Sequence, residues 1–146
     1  MPTLEETLFI AVLAHEGQRD RADKPYILHP LRVMFSMETE EERIVAVLHD
    51  VVEDTEMTLD KLEDYGFSPE IIDAVKHLTK QPGEEYMDFI SRVTLNPLAT
   101  KIKMADLRDN MDESRIAHPT DADETPWRKY KEAYPVLVAG QYKGEA

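Results

Sequence analysis

His49, Asp50, Glu53 and Asp54 stand together in the segment VLHDVVEDT, residues 47–55, amid an apolar run of Ile44, Val45, Val47, Leu48, Val51 and Val52. Imidazole and carboxylate are ordinary ligands of a divalent cation, and a carboxylate one turn further on can take a proton from water. On a helical wheel at roughly 100° per residue, the four polar residues share one arc of roughly 140° with Ala46 alone, opposite the six aliphatics. Buried, unpaired ions are costly, so such a stripe must be solvated, paired or coordinated to a cation. Close carboxylates raise one another's pKa unless positive charge sits among them, and a divalent metal supplies that charge. A partly exposed helix whose acids face water is the other reading.

A second stretch, KIKMADLRDNM (101–111), places Asp106 on one stripe with Ile102, Lys103 and Asn110. Leu98 and Ala105 flank the stripe on one side, and Met104, Leu107 and Met111 on the other. An Asp between apolar flanks suits a further metal ligand, with Asn110 one turn later able to touch a substrate. His29, in PYILHP, lies where a loop enters a helix and is a third candidate. The remaining histidines read otherwise: His15 closes the first helix or supports the site, while His77 and His118 serve as cap and loop residues. Met34, Met37, Met87, Met104 and Met111 read as core filler, and Trp127, Tyr130 and Tyr134 as the packing face of the last helix.

The elements that must position these residues are helices. Thr3 with Glu6 and Thr39 with Glu42 are capping boxes; Thr58, Ser68-Pro69, Asn96-Pro97 and Thr125-Pro126 mark further starts. Pro30 is expected at a first helical position, and the helix from Asn96-Pro97 is expected to run to about Glu113. His118 to Thr125 reads as a polar loop, the last helix as about 126–139 with a stop at Gly140, and the residues from Tyr142 onward as frayed. No segment has a clean period of two. The expectation is one all-α helical bundle of seven or eight helices over residues 1–146.

A net charge of −13 disfavours nucleic acid and anionic membrane surfaces, both of which demand Lys and Arg in excess. An anionic substrate therefore requires a metal or a local basic cluster that reverses the field. With no Cys, thiol catalysis and disulfide frameworks are excluded. Acids stand in MPTLEETLFI where a signal peptide needs positive charge, so a soluble, cytoplasmic protein is expected.

Five blocks occur in a telling order: AHEGQ (14–18), KPYILHPLRV (24–33), VLHDVVEDT (47–55), HLTK (77–80) and KMADLRDNM (103–111). Over roughly residues 4–115 the chain resembles the HD superfamily of metal-dependent phosphohydrolases, and within it the hydrolase domain of RelA/SpoT-type alarmone enzymes. The resemblance implies an HD fold that binds one Mn²⁺ through His29, His49, Asp50 and Asp106, with Glu53 and Asp54 as catalytic carboxylates. The implied reaction removes the 3′-pyrophosphate of ppGpp or pppGpp; the chain after residue 140 is too short for the family's synthetase domain. Lys80, Lys103 and one of Arg19 or Arg21 are candidates to meet substrate phosphates, and each could equally be a solvated cation. The chain departs from the family in two places. Asp20, Arg21, Ala22, Asp23 and Lys24 replace the usual base-reading R-K-S-G-E, and Glu113 replaces a nucleotide-holding Thr. Another nucleotide or phosphate ester as substrate, or a non-catalytic nucleotide-binding module, are the competing readings.

Overall fold

Thr3 and Thr39 open two helices by the same device. Each hydroxyl accepts the N–H of a Glu three residues on, and each Glu carboxylate accepts the threonine's own N–H. The computed structural model describes the backbone of residues 1–112 and 121–145 and the side chains of residues 1–112 and 126–141. Its helices are α1 (Leu4–Ala14), α2 (Leu28–Phe35), α3 (Glu40–Leu48), α4 (Val51–Asp54), α5 (Leu59–Asp64), α6 (Pro69–His77), α7 (Tyr86–Val93), α8 (Pro97–Asn110) and α9 (Asp121–Glu145). Among the described residues the only extended pairing is an isolated bridge between Arg19 and Pro25. The all-α architecture is as expected, with one segment more because an expected helix is split.

Helix α3 is the hub. Ile44 to Leu48 are five consecutive buried residues, so this helix is covered on all sides there. Helices α1, α2, α6 and α8 pack around it. Full burial of an aliphatic side chain of this size contributes about 1.5–3 kcal/mol, so Ile44, Val45, Val47 and Leu48 outweigh the weak strand-favouring preference of their β-branched members. Helix α8 lies against α2, α3, α6 and α7 and ends beneath α9. Three contacts fix α9 there. Trp127 Nε1 donates to the Asn110 carbonyl at 3.0 Å, and Arg108 Nη1 donates to the Tyr134 hydroxyl at 2.9 Å. Gly140 approaches Thr94 so closely that a Cβ would meet Cβ and Cγ2 of that residue at 2.8 Å.

The sequence expectations require four corrections. The helix drawn through residues 44–54 is interrupted at His49-Asp50: α3 stops at Leu48 and a single turn, α4, follows. The His49 ring donates through Nδ1 to the Ala46 carbonyl at 2.6 Å, taking the acceptor that an unbroken helix reserves for backbone. Pro30 is the third residue of α2 rather than its first, and α8 ends at Asn110. Helix α9 starts at Asp121 and runs through Gly140 to Glu145, so Pro126 and Pro135 are internal. Glu113 and His118 lie outside the described residues. No described helix is long and apolar enough to cross a membrane.

Candidate metal centre

Four residues from three places in the chain meet at one point. His29 comes from the start of α2, His49 and Asp50 from the break between α3 and α4, and Asp106 from the middle of α8. One donor atom from each lies within 4.8 Å of the others, and His29, His49 and Asp106 are buried. His29 Nε2 is 2.7 Å from Asp106 Oδ1 and 3.7 Å from Asp50 Oδ2; His49 Nε2 is 3.3 Å and 2.9 Å from the same two oxygens. The break explains how sequence neighbours His49 and Asp50 both reach this point.

The other ring nitrogens are committed elsewhere. His49 Nδ1 is held by the Ala46 carbonyl, and His29 Nδ1 donates to Asp109 Oδ2 at 2.6 Å. Both acceptors fix the tautomer that leaves Nε2 pointing to the centre, as an imidazole ligand requires. Asp109 is itself anchored by Arg32 Nε at 2.8 Å, and the Tyr26 hydroxyl donates to Asp50 Oδ2. Lys103 Nζ and Asn110 Nδ2 hold the two oxygens of Asp106 at 2.8 Å and 3.2 Å. Two imidazoles and two carboxylates, oriented this way and mutually close, fit one divalent cation with coordination positions to spare.

Electrostatics show what the cluster does without an ion. Burial works against charge on both rings, yet the hydrogen bonds and fields of the neighbouring carboxylates prevail and raise the pKa of His29 and, more strongly, His49. Burial likewise opposes ionisation of the acids, but His49 holds Asp50 down to about 2, and Lys103 with the two imidazoles holds Asp106 well below the usual range. Protonated rings and Lys103 thus supply the positive charge that clustered carboxylates need. Asp54 lies beyond this help: desolvation, then the Asp50 and Glu53 carboxylates, raise it to about 6.

Glu53 and Asp54, on α4, form with Asp50 a second group of close carboxylates at the outer rim. The backbone N–H of Lys80 donates to Glu53 Oε1 at 2.9 Å and aims that carboxylate. Lys80 in turn follows a loop held by Arg92, which pairs bidentately with Glu84 at 2.9 and 3.0 Å and donates to the Thr79 carbonyl at 2.8 Å. Lys80 and Lys103 line a cavity of about 220 Å³ over the cluster. Arg19 and Arg21 line a neighbouring cavity of about 290 Å³, and Tyr26, Asn110 and Tyr130 belong to both. Asp20 lines the neighbouring cavity too, and its Oδ1 accepts the N–H of Ala22 and Lys24 and closes the loop in which Asp23 adopts φ +59°.

His15 is buried at the end of α1, its Nδ1 donating to Gln18 Oε1 at 2.8 Å and its ring 5.1 Å from that of Tyr26. It supports Tyr26, and through it Asp50. His77 binds its own helix at the Asp73 carbonyl, 2.8 Å away. Reasoning from sequence missed Tyr26, Asp109, Arg92, Lys129 and Tyr130. Asp109, three residues beyond Asp106 and so on the same helical face, carried a usable signal; Lys129 and Tyr130 carried none, because their place depends on how α9 docks.

No family model matches the chain. It is 37% identical over 116 residues to the guanosine-3′,5′-bis(diphosphate) 3′-pyrophosphohydrolase of Haemophilus influenzae, an alignment covering 70% of this chain and 17% of that protein. With the bifunctional (p)ppGpp synthase/hydrolase SpoT of Escherichia coli K12 it shares 32% identity over 122 residues, 74% of this chain and 17% of the relative. The chain thus spans about a sixth of the length of these curated relatives. A solved structure described as "A metazoan ortholog of SpoT hydrolyzes ppGpp and plays a role in starvation responses" superposes with a TM-score of 0.75 at 24% identity, covering 97% of this chain and 89% of that one. In sequence the chain is thus similar to one part of these ppGpp 3′-pyrophosphohydrolases, and it shares the all-α fold of the metazoan SpoT ortholog.

Proposed function

We propose that the chain is a Mn²⁺-dependent phosphohydrolase that removes the 3′-pyrophosphate of ppGpp or pppGpp. The observation that carries the reading is the convergence of His29, His49, Asp50 and Asp106 within 4.8 Å, with Glu53 and Asp54 at the rim. His29, His49, Asp50 and Asp106 would hold the ion. The two carboxylates suit Mn²⁺, and the two imidazoles suit a transition metal over Mg²⁺ or Ca²⁺. When bound there, a divalent cation lowers the pKa of water and polarises the phosphorus. The names of the curated relatives support ppGpp as the substrate, and a cytoplasmic protein is in keeping with a nucleotide of this kind.

In the reaction a water oxygen bonds to the phosphorus attached to the 3′-oxygen, the bond between that phosphorus and the 3′-oxygen breaks, and the freed 3′-oxygen takes a proton. Glu53, aimed by the Lys80 N–H, is placed to accept the water's proton. Asp54, with its raised pKa, is placed to hold and return a proton near neutral pH. Lys80 and Lys103 meet the phosphate oxygens of the departing pyrophosphate. Asn110, tied to Asp106 and lining both cavities, positions the junction between pyrophosphate and nucleoside, and Arg19 and Arg21 face the nucleoside side.

Full-length protein loaded with Mn²⁺ is to be incubated with ppGpp, and pyrophosphate and GDP measured. Stoichiometric release is expected, and Glu53→Gln should lose about 10²- to 10⁴-fold in rate with its metal content intact. Absence of pyrophosphate from the metal-loaded wild type, alongside turnover of another nucleotide in a panel, would sink ppGpp as the substrate.

A further inference from the structure

The last helix sends a cation into the site. Lys129 Nζ lies 4.1 Å from the centroid of the Tyr86 ring, and both side chains line the cavity over the metal cluster together with Glu53, Lys80 and Lys103. In a chain with a net charge of −13, most described cations near carboxylates are taken up by them. Lys101 pairs with Glu42 at 2.6 Å, Lys103 with Asp106 at 2.8 Å, and Arg92 with Glu84 at 2.9 Å. Neither Lys80 nor Lys129 has a carboxylate within ion-pair distance among the described residues.

Lys129 is therefore held over an aromatic face while desolvation, followed by the fields of Lys103 and Lys80, disfavours its charge and lowers its pKa. Mutual repulsion of ammonium groups around a cavity is relieved by an anion entering it. The Tyr86 hydroxyl is buried in the same wall without a hydrogen-bond partner among the described residues, and burial pushes it up to about 12, so it keeps its proton through the neutral range. A volume of about 220 Å³ falls short of the ~300 Å³ at which whole small-molecule ligands are usually enclosed, and suits a part of one.

We propose that Lys129, seated on Tyr86, is a substrate-binding residue that grips the departing pyrophosphate opposite Lys80, so that α9 completes the anion pocket. This rests on the phosphohydrolase reading. Lys103 also orients Asp106, so Lys80 and Lys129 bring the further positive charge that reverses the acidic field where the phosphates must sit.

The test uses Mn²⁺-loaded full-length protein and four forms: wild type, Lys129→Met, Lys129→Arg and, as a charge control on the same helix, Lys131→Met. Calorimetric titration with inorganic pyrophosphate and steady-state kinetics with ppGpp are the two readouts, with thermal midpoints to verify folding. A charge-assisted hydrogen bond to phosphate corresponds to roughly 10- to 100-fold, so Lys129→Met should raise KM and weaken pyrophosphate binding by that factor while kcat changes by less than about 3-fold. Lys129→Arg should recover most of the loss, and Lys131→Met should match wild type. If wild type binds pyrophosphate, Lys129→Met does not, and ppGpp is left intact, the anion pocket stands and only the ppGpp assignment falls. Unaltered pyrophosphate affinity and KM in folded Lys129→Met, or a wild type that binds no pyrophosphate at all, overturns the proposal.

Discussion

Nδ1 of His29 lies 2.6 Å from Oδ2 of Asp109, while Nε2 of the same ring faces the metal cluster. A carboxylate behind a ligating imidazole fixes its rotation and tautomer, and loss of such a partner typically costs 10- to 100-fold in metal affinity. Asp109→Ala is expected to weaken Mn²⁺ binding by about that factor in a competition titration against a chelator. Affinity equal to wild type would remove Asp109 from the site's support.

Metal binding should release protons and tighten as pH rises. His29 and His49 carry raised pKa values without an ion, and both must shed the Nε2 proton to act as ligands. Titrations at pH 7 in buffers of different ionisation enthalpy should show proton release, and a pH-independent affinity between pH 6 and 9 contradicts this account. Stability of the metal-free protein follows the opposite sense. A raised histidine pKa contributes stability that is full below the unfolded value near 6.5 and disappears as pH climbs through the folded value. The lowered acids contribute above their unfolded value of 3.8 and lose that contribution only as pH falls toward about 2 for Asp50. Metal-free protein should therefore melt progressively lower as pH rises above 6.5, and chelator-treated samples followed by calorimetry will show whether it does.

Arg92 acts on Glu53 without touching it. It stitches Glu84 to the Thr79 carbonyl, and the next residue's N–H aims the Glu53 carboxylate. Arg92→Met should reduce kcat by roughly 10-fold, less than the 10²- to 10⁴-fold expected for removing the base itself, and should leave metal affinity unchanged. A kcat equal to wild type would show that Glu53 keeps its aim without the clamp.

Gly140 leaves no room for a side chain beside Thr94, where an added Cβ would come within 2.8 Å. Gly140→Val should push α9 outward, costing about 1–3 kcal/mol of stability by overpacking. Trp127 is the chain's single tryptophan and sits buried at the α8–α9 junction, so its emission should shift to longer wavelength. An unshifted spectrum with wild-type stability would mean the helix accommodates the extra carbons by sliding.

Much of this molecule was legible in its sequence because the signals are local. Thr3, Thr39, Thr58, Ser68 and Asn96 each cap the helix they announce. The stripe on α8 that joins Asp106, Lys103 and Asn110 is real in space, since both neighbours hydrogen-bond the Asp106 carboxylate. What escaped were matters of competition and docking. Nothing in the spacing of residues 44–54 reveals that the His49 ring will capture the Ala46 carbonyl and end the helix. Lys103 reads as a phosphate-meeting or solvated cation, and the spacing does not tell that it also buries itself against Asp106. Tyr26 and Lys129 reach the cavity only because a loop and a distant helix are folded over it.

The two-residue interruption after Leu48 also limits how this chemistry could be borrowed. On a regular helix, consecutive positions diverge by roughly 100°, so an imidazole and a carboxylate side by side in sequence would aim at different targets. Grafting the six letters from His49 to Asp54 onto a straight helix of another scaffold would thus scatter the donors. What needs transplanting is the hinge, together with the ring-to-carbonyl latch that keeps it bent.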